Sequence, residues 1–168
     1  MEYKSCYESP IGKILLTADD IGLTGLWFEG QKKILFGSDQ ESGEMGTELF
    51  SNVKRWLDIY FSGEEPDFQI PIHLKGTEFQ MNVWEILCTI PYGETMTYGE
   101  IAKRIASDRG IRKMSAQAVG NAVGRNPVSV IVPCHRVIGA KGNLTGYAGG
   151  IERKAELLKI EHKQSGES

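Results

Sequence analysis

Pro133-Cys134-His135-Arg136 is the stretch of this chain best equipped for covalent chemistry. It follows a β-branched run, Val128-Ser129-Val130-Ile131-Val132, and leads into Val137. The thiolate is the nucleophilic form of cysteine, and a neighbouring base or cation makes it available near neutral pH. His135 is adjacent in sequence, and the rigid Pro133 sets how the thiol leaves the preceding strand. On a regular strand, neighbouring side chains point to opposite faces. A working Cys134–His135 couple therefore requires the backbone to turn at Pro133, or a water to bridge the two. The competing reading is a buried structural cysteine, the commonest fate of an unpaired one. The polar company of Pro, His and Arg weighs against it. Asn126, Tyr98, Tyr147 and Glu161 are the other groups with usable chemistry. Each also has an ordinary reading. Asn126 before Pro127 stops a helix, Tyr98 lies on an apolar helix face with its hydroxyl at the rim, and Glu161 is one of several charges on the final helix. His73 and His162 have no motif around them, and Cys6 and Cys88 read as bystanders.

The elements that must position these groups fall into two halves. Residues 2–36 read as short strands with turns, including 11–18 and 21–28, in an antiparallel meander. Residues 37–46 read as a loop. Leu49, Val53, Trp56, Leu57, Tyr60 and Phe61 recur at helical spacing, and that helix ends near Gly63. Residues 62–76 read as a linker or an extended return. The second half is more helical. Phe79, Val83, Ile86 and Leu87 form one stripe with Thr77 as N-cap. Thr97 with Glu100 forms a capping box before a second helix, whose apolar face is Tyr98, Ile101, Ala102 and Ile105. Ser115 caps a third helix that ends near Arg125-Asn126-Pro127. Three helices followed by strand-like residues suggest a winged helix-turn-helix. The third helix is nearly bare: Ala116, Ala118, Gly120, Ala122 and Gly124 dominate it. Two glycines cost roughly 1 kcal/mol each against alanine, and side chains that read base edges in the major groove are few. Such a helix either packs tightly on the core or enters a narrow groove.

Composition bounds the rest. The chain has 168 residues and a formal net charge of -3. Residues 1–75 carry 7 Lys/Arg against 13 Asp/Glu, whereas residues 76–168 carry 12 against 9. Between Tyr98 and Lys141 the balance is 8 basic to 2 acidic. This asymmetry suggests a polyanion-binding face on the second half; the alternative is ordinary charge scatter. Three distant cysteines form no Cys-x-x-Cys pair, which argues against a zinc ribbon or redox pair and fits a reducing compartment. No signal peptide is visible, and no apolar stretch approaches the roughly 20 residues that span a bilayer. The expectation is a cytoplasmic protein with no membrane contact.

Residues 131–138, Ile-Val-Pro-Cys-His-Arg-Val-Ile, resemble the active-site segment of the O6-alkylguanine-DNA alkyltransferases, also called methylated-DNA–protein-cysteine methyltransferases. The resemblance extends to Phe79-Gln80 with Val83-Trp84, to Ile90-Pro91-Tyr92-Gly93 and to Thr97-Tyr98. It continues through Ala118-Val119-Gly120-Asn121-Ala122, Asn126-Pro127 and Gly146-Tyr147-Ala148-Gly149-Gly150. Together these cover roughly residues 77–161; the first half matches only loosely. The resemblance implies an α+β fold, with a ribonuclease-H-like N-terminal sheet-and-helix domain over residues 1–75 and a C-terminal winged helix-turn-helix domain over residues 76–168.

It also implies an activity. An alkyl group on guanine O6 is out of reach in a stacked duplex, so the nucleotide must be flipped into a pocket. By resemblance, Cys134 accepts the alkyl group in an in-line displacement. His135 takes the thiol proton through a water, and Glu161 orients and charge-stabilises His135. Asn126 holds the turn that presents Cys134, and Tyr98 assists the departing guanine at N3. Backbone groups near Val137, Tyr147, Ala148 and Gly149 grip the base, and Val123 and Tyr147 form its apolar walls. Gln117, Ala118, Gly120 and Asn121 enter the minor groove, while Arg112, Lys113, Arg125 and Arg136 neutralise phosphates. No cofactor motif and no metal-ligand pattern is present. The partner is double-stranded DNA carrying O6-alkylguanine, met by a monomer; O4-alkylthymine is a further candidate substrate. The thioether product has no removal route, so each molecule acts once. Many relatives carry arginine where this chain has Gln117, and there the arginine replaces the extruded base in the stack. Glutamine stacks and attracts less well, so Arg112 or Lys113 is the alternative gap filler, and weaker duplex affinity is expected. An alkyltransferase-like binder without the acceptor cysteine, a winged-helix regulator and a cysteine protease are the competing classes. The presence of Cys134 weighs against the first and the bare third helix against the second; a protease would need a separate histidine and leaves the DNA-binding pattern unexplained.

Overall fold

The computed structural model of the protein describes residues 2–31, 43–142, 144, 146, 147 and 149–164. Strands β1 (Tyr3–Ser9), β2 (Gly12–Ala18) and β3 (Leu23–Phe28) form the expected antiparallel meander in the order β1-β2-β3. Ile14, Leu16, Ala18, Leu23, Leu26 and Phe28 are buried. β3 starts two residues later than expected, because Asp19 accepts from the amides of Ile21 and Gly22 and closes the turn there. Helix α1 (Gly43–Phe61) buries Phe50, Val53, Leu57 and Tyr60, at the 3-4-3 spacing of one helical face. It reaches back into the span read as a loop, of which residues 37–42 lie outside the described residues. Leu49, Trp56 and Phe61 only flank the core.

The 62–76 segment is an extended return. Leu23 donates to the Pro71 carbonyl at 2.9 Å and accepts from the His73 amide at 2.8 Å, which adds a parallel bridge at Ile72. On the other side of β3, the Leu26 amide donates to the Pro127 carbonyl at 2.9 Å, beside a bridge to Val128. The sheet is thus stitched to the second half of the chain, and one apolar core runs through both.

In the second half, α2 (Glu78–Leu87), α3 (Tyr98–Arg109) and α4 (Ala116–Gly124) begin at Thr77, Thr97 and Ser115, as their capping chemistry predicts. Thr77–Gln80 and Thr97–Glu100 are both reciprocal capping boxes. A short strand β4 (Met96–Thr97) pairs in parallel with β5 (Val137–Ile138). The chain closes with α5 (Ile151–Gln164). The bare helix α4 answers its two readings face by face. Val119, Ala122 and Val123 are buried, and Trp84 Nε1 donates to the Ala122 carbonyl at 2.9 Å. Ala116, Gln117, Asn121 and Gly124 remain exposed.

The strand expected over residues 128–132 does not form; only Val128 bridges. Tight contacts, Ile131 N to Ser129 O at 2.8 Å and Val132 N to Val128 O at 3.1 Å, fold the segment back on itself. Val130 sits there at φ 70°, in the left-handed region that β-branched residues avoid. The cause is Asn126. Its Nδ2 donates to the Val132 and Val128 carbonyls at 2.9 and 3.3 Å, and its Oδ1 accepts from the Val128 amide at 3.0 Å. A side-chain amide here replaces the ladder partner a strand would need.

Candidate active site

Cys134 opens a single 3₁₀ turn, Cys134–Arg136, between the Asn126-braced loop and β5. This is the backbone turn at Pro133 that a Cys–His couple requires; consecutive residues on it no longer face opposite ways. The thiol is 3% exposed. Burial pushes its pKa up, and the hydrogen bond from Asn126, the charge of Lys154 and the Ser129 hydroxyl oppose that push. Lys154 is itself fully buried, and burial pulls its ammonium pKa down while Cys134 pulls it up. The Lys154 charge favours the thiolate, the reactive species, but burial outweighs it and the resting group stays above its ordinary pKa.

His135 is fully buried, and its Nε2 lies 2.5 Å from Glu161 Oε2. Glu161, also fully buried, is saturated with donors. Arg136 Nε reaches Oε1 at 2.8 Å, Arg136 Nη2 reaches Oε2 at 3.2 Å, and the Gly93 amide reaches Oε1 at 3.1 Å. Tyr60 donates its hydroxyl to Oε2 at 2.6 Å. Burial alone would raise the carboxyl, but His135 and then Arg136 override it and hold the pKa at about 2. An ionised carboxylate only accepts, so the hydrogen sits on His135 Nε2 and Nδ1 keeps the lone pair. Nδ1 is buried without a hydrogen-bond partner among the described residues. Burial also lowers the His135 pKa, so the ring is a neutral base at rest.

A cleft of about 790 Å³ opens on the exposed side of α4. Tyr98, Gln117, Gly120, Asn121, Gly146 and Tyr147 are on its wall. Cys134 is not. Tyr147 links the two: it lines the cleft, while its hydroxyl is buried, and burial and then the neighbouring Cys134 raise its pKa. Tyr98 is half-buried, with Lys154 Nζ 6.0 Å from its ring centre. Gly149 is pinched: a Cβ there would lie 2.8 Å from the Phe28 ring and 2.9 Å from the Tyr147 ring, so only glycine fits. Arg153 clamps this corner to the sheet, donating to the carbonyls of Ile11, Glu29 and Gly149 at 2.9, 3.0 and 3.0 Å.

The residues singled out from sequence divide accordingly. Cys134, His135, Glu161 and Asn126 come together in the buried site. Tyr98, Tyr147, Gln117, Gly120 and Asn121 meet at the cleft, with Ala118 half-buried on the same helix. Val123 is a core residue, not a cleft wall, and Val137 is buried on β5. Ala148 lies outside the described residues. Arg112, Lys113 and Arg125 are exposed around α4. Arg136 is not available to phosphates as expected. Its guanidinium is committed inward, to Glu161 and, through Nη1, to the Ile90 carbonyl at 2.7 Å. Glu161 is no solvated helix charge either. Two participants were missed. Lys154 carried a signal: Lys154, Leu157 and Glu161 share one face of α5, and ionisable residues on a buried face mark a site. Tyr60 carried none, because it fills an apolar position of α1.

Comparison with known proteins covers both halves of the chain. The ribonuclease-like domain of 6-O-methylguanine DNA methyltransferase matches residues 2–74, and the DNA-binding domain of the same proteins matches residues 78–163. A methylated-DNA–protein-cysteine methyltransferase from Methanosarcina acetivorans is 49% identical over 160 residues, 95% of this chain and 97% of that protein. One from Mycolicibacterium paratuberculosis is 43% identical over 165 residues, 98% and 94% of the two chains. The crystal structure of Mycobacterium tuberculosis OGT in complex with DNA superposes with a TM-score of 0.80 at 44% identity, covering 95% of this chain and 92% of that one. Matched from Glu2 almost to the end of α5, the chain belongs to the O6-methylguanine DNA methyltransferase family.

Proposed function

We propose that this protein repairs alkylated DNA by moving the alkyl group from O6 of guanine onto Cys134, once per molecule. The supporting observation is the buried Cys134 thiol beside Lys154, one residue from a His135–Glu161 pair whose Nδ1 keeps its lone pair. Duplex DNA meets the exposed side of α4, with Arg112, Lys113 and Arg125 against phosphates and Ala118, Gly120 and Asn121 in the minor groove. We read α3, its turn and α4 as the helix-turn-helix that makes this approach, and residues 1–75 and 76–168 as the two domains. The damaged nucleotide leaves the stack and enters at Tyr98 and Tyr147, while Gln117 or a neighbouring basic side chain fills the gap.

His135 Nδ1, through a water, accepts the thiol proton, and the Lys154 charge stabilises the thiolate. Sulfur attacks the alkyl carbon in line, the carbon–O6 bond breaks, and its electron pair leaves with guanine. Tyr98 stabilises that leaving group by donating toward N3. Glu161 holds His135 in the tautomer this requires, and Asn126 holds the turn. The thioether persists, so the protein is stoichiometric. The added carbon in a packed site costs roughly 1–3 kcal/mol. The protein is proposed to act as a monomer in the cytoplasm. Among the described residues, no helix is long and apolar enough to cross a membrane.

The test is mass spectrometry after incubation with an O6-methylguanine duplex. The Cys134 peptide gains one methyl group, and Cys134→Ser binds the duplex without gaining it. Modification at Cys6 or Cys88 instead, or none in the wild-type protein, overturns the proposal.

A further inference from the structure

The His135–Glu161 pair is completed from the other half of the chain. Tyr60 lies on α1, 75 residues before His135, and is fully buried. Its ring is held on several sides. It stacks on Trp56 at 5.5 Å and 7°, and meets Phe61, Tyr92 and His135 edge-on at 5.3, 6.1 and 6.3 Å. Its hydroxyl stands 2.6 Å from Glu161 Oε2 and 3.3 Å from His135 Nε2. Oε2 therefore serves His135, Tyr60 and Arg136 together.

We propose that Tyr60 is a positioning residue for alkyl transfer: its hydroxyl, delivered by the ribonuclease-like half, holds Glu161 Oε2 in register with His135 Nε2 and limits how strongly that carboxylate draws the imidazole proton. The transfer part of this rests on the repair reading; the tautomer part does not. A phenol oxygen has one hydrogen, and the nearby carboxylate takes it. What remains toward His135 Nε2–H is a weak acceptor at long range. Each donor on Oε2 withdraws charge from it. With Tyr60 present, Glu161 orients the ring yet leaves it neutral. Without the hydroxyl, Oε2 keeps Arg136 but loses the closer donor of the two and turns more of its charge on His135, so the imidazolium becomes easier to form. A ring already protonated cannot take the thiol proton. The charged and titratable groups around this pair are Arg136 on the 3₁₀ turn, Lys154 on α5, Tyr92 after α2, and Tyr147, with Cys134 the preceding residue in the chain. A Tyr60→Phe substitution alters none of them.

The experiment has two readouts on the same variants. Nitrogen-15 NMR of the free protein reads the His135 tautomer and its titration. Single-turnover methyl transfer to Cys134 against pH reads the consequence. In the wild-type protein the hydrogen sits on Nε2. In Tyr60→Phe the His135 titration moves upward, the acid limb of the transfer profile follows it to higher pH, and transfer below neutrality falls about tenfold, the size expected for losing a hydrogen bond to a charged group. Leu57→Ala, a core truncation on the same helix, lowers stability and leaves both readouts where they were. A Tyr60→Phe protein with an unmoved His135 titration overturns the proposal, as does Leu57→Ala moving it equally. Wild-type protein that transfers no methyl sinks the repair reading instead, and NMR still judges Tyr60.

Discussion

Two histidine–carboxylate pairs among the described residues, His73–Asp19 and His135–Glu161, differ in how deep they lie. His73 Nδ1 lies 2.6 Å from Asp19 Oδ2, and His135 Nε2 lies 2.5 Å from Glu161 Oε2. By distance alone they are equivalent. The first pair keeps 29% and 20% of its side chains in solvent, and the second keeps none. Asp19 is held at about 2 mainly by local turn chemistry. Burial works against ionisation, and the Gly22 amide, His73 and the Ile21 amide reverse it. Glu161 reaches a similar value with donors drawn from α1, from the loop after α2 and from the 3₁₀ turn. The exposed pair staples a turn. The buried pair fixes a tautomer, because no water can substitute for a missing donor. Contact distance does not separate the two pairs; exclusion of solvent and convergence of distant segments do.

The largest test of that contrast is truncation. Glu161→Ala leaves Arg136 and His135 buried without their acceptor, so chemical denaturation shows a loss of about 3–5 kcal/mol, and methyl transfer disappears. Asp19→Ala removes a partly exposed pair and a turn acceptor, and costs about 1 kcal/mol. Similar losses in the two variants would break the distinction.

Lys154 sharpens it further, because here activity and stability separate. Lys154→Met raises the Cys134 thiol pKa by removing the cation beside it, and transfer at neutral pH slows by about tenfold or more, one pKa unit being a factor of ten in thiolate. Stability holds or rises, since a buried ammonium costs more than a thioether of similar length. Thiol titration and urea unfolding on the same sample read both.

The smallest effect is the shape of the acid limb. Burial holds His135 below its ordinary 6.5, so the unfolded chain binds a proton that the folded one refuses. Stability therefore drops as pH falls below that value. Glu161 adds a loss between its ordinary 4.5 and about 2, and Asp19 adds one between 3.8 and about 2. Unfolding midpoints against pH should begin to fall near 6.5 in wild-type protein. They should keep that onset in Asp19→Asn, which loses only the part below about 4.

Much of this was legible beforehand. Thr77, Thr97 and Ser115 announced three helix starts, because caps are local chemistry. The antiparallel meander followed from short alternating runs with turn residues between them. Cys134 and His135 stood out by type. The misreadings share one cause, tertiary partners that periodicity does not encode. Five β-branched or small residues at 128–132 look like a strand until Asn126 supplies the hydrogen bonds. Arg136 looks like a phosphate ligand until Glu161, 25 residues on, takes its guanidinium. Tyr60 reads as core because it is core, and its hydroxyl matters only once α5 is packed against it.

Val130 holds a final consequence. Its left-handed backbone costs of order 1–3 kcal/mol, and the residue is 1% exposed in the shared core. No short peptide of this sequence would adopt that conformation unaided. The turn that presents Cys134, four residues on, is thus complete only when both halves have closed around it. A nascent or half-folded chain has no such site, and the geometry that presents Cys134 arrives only with the finished molecule.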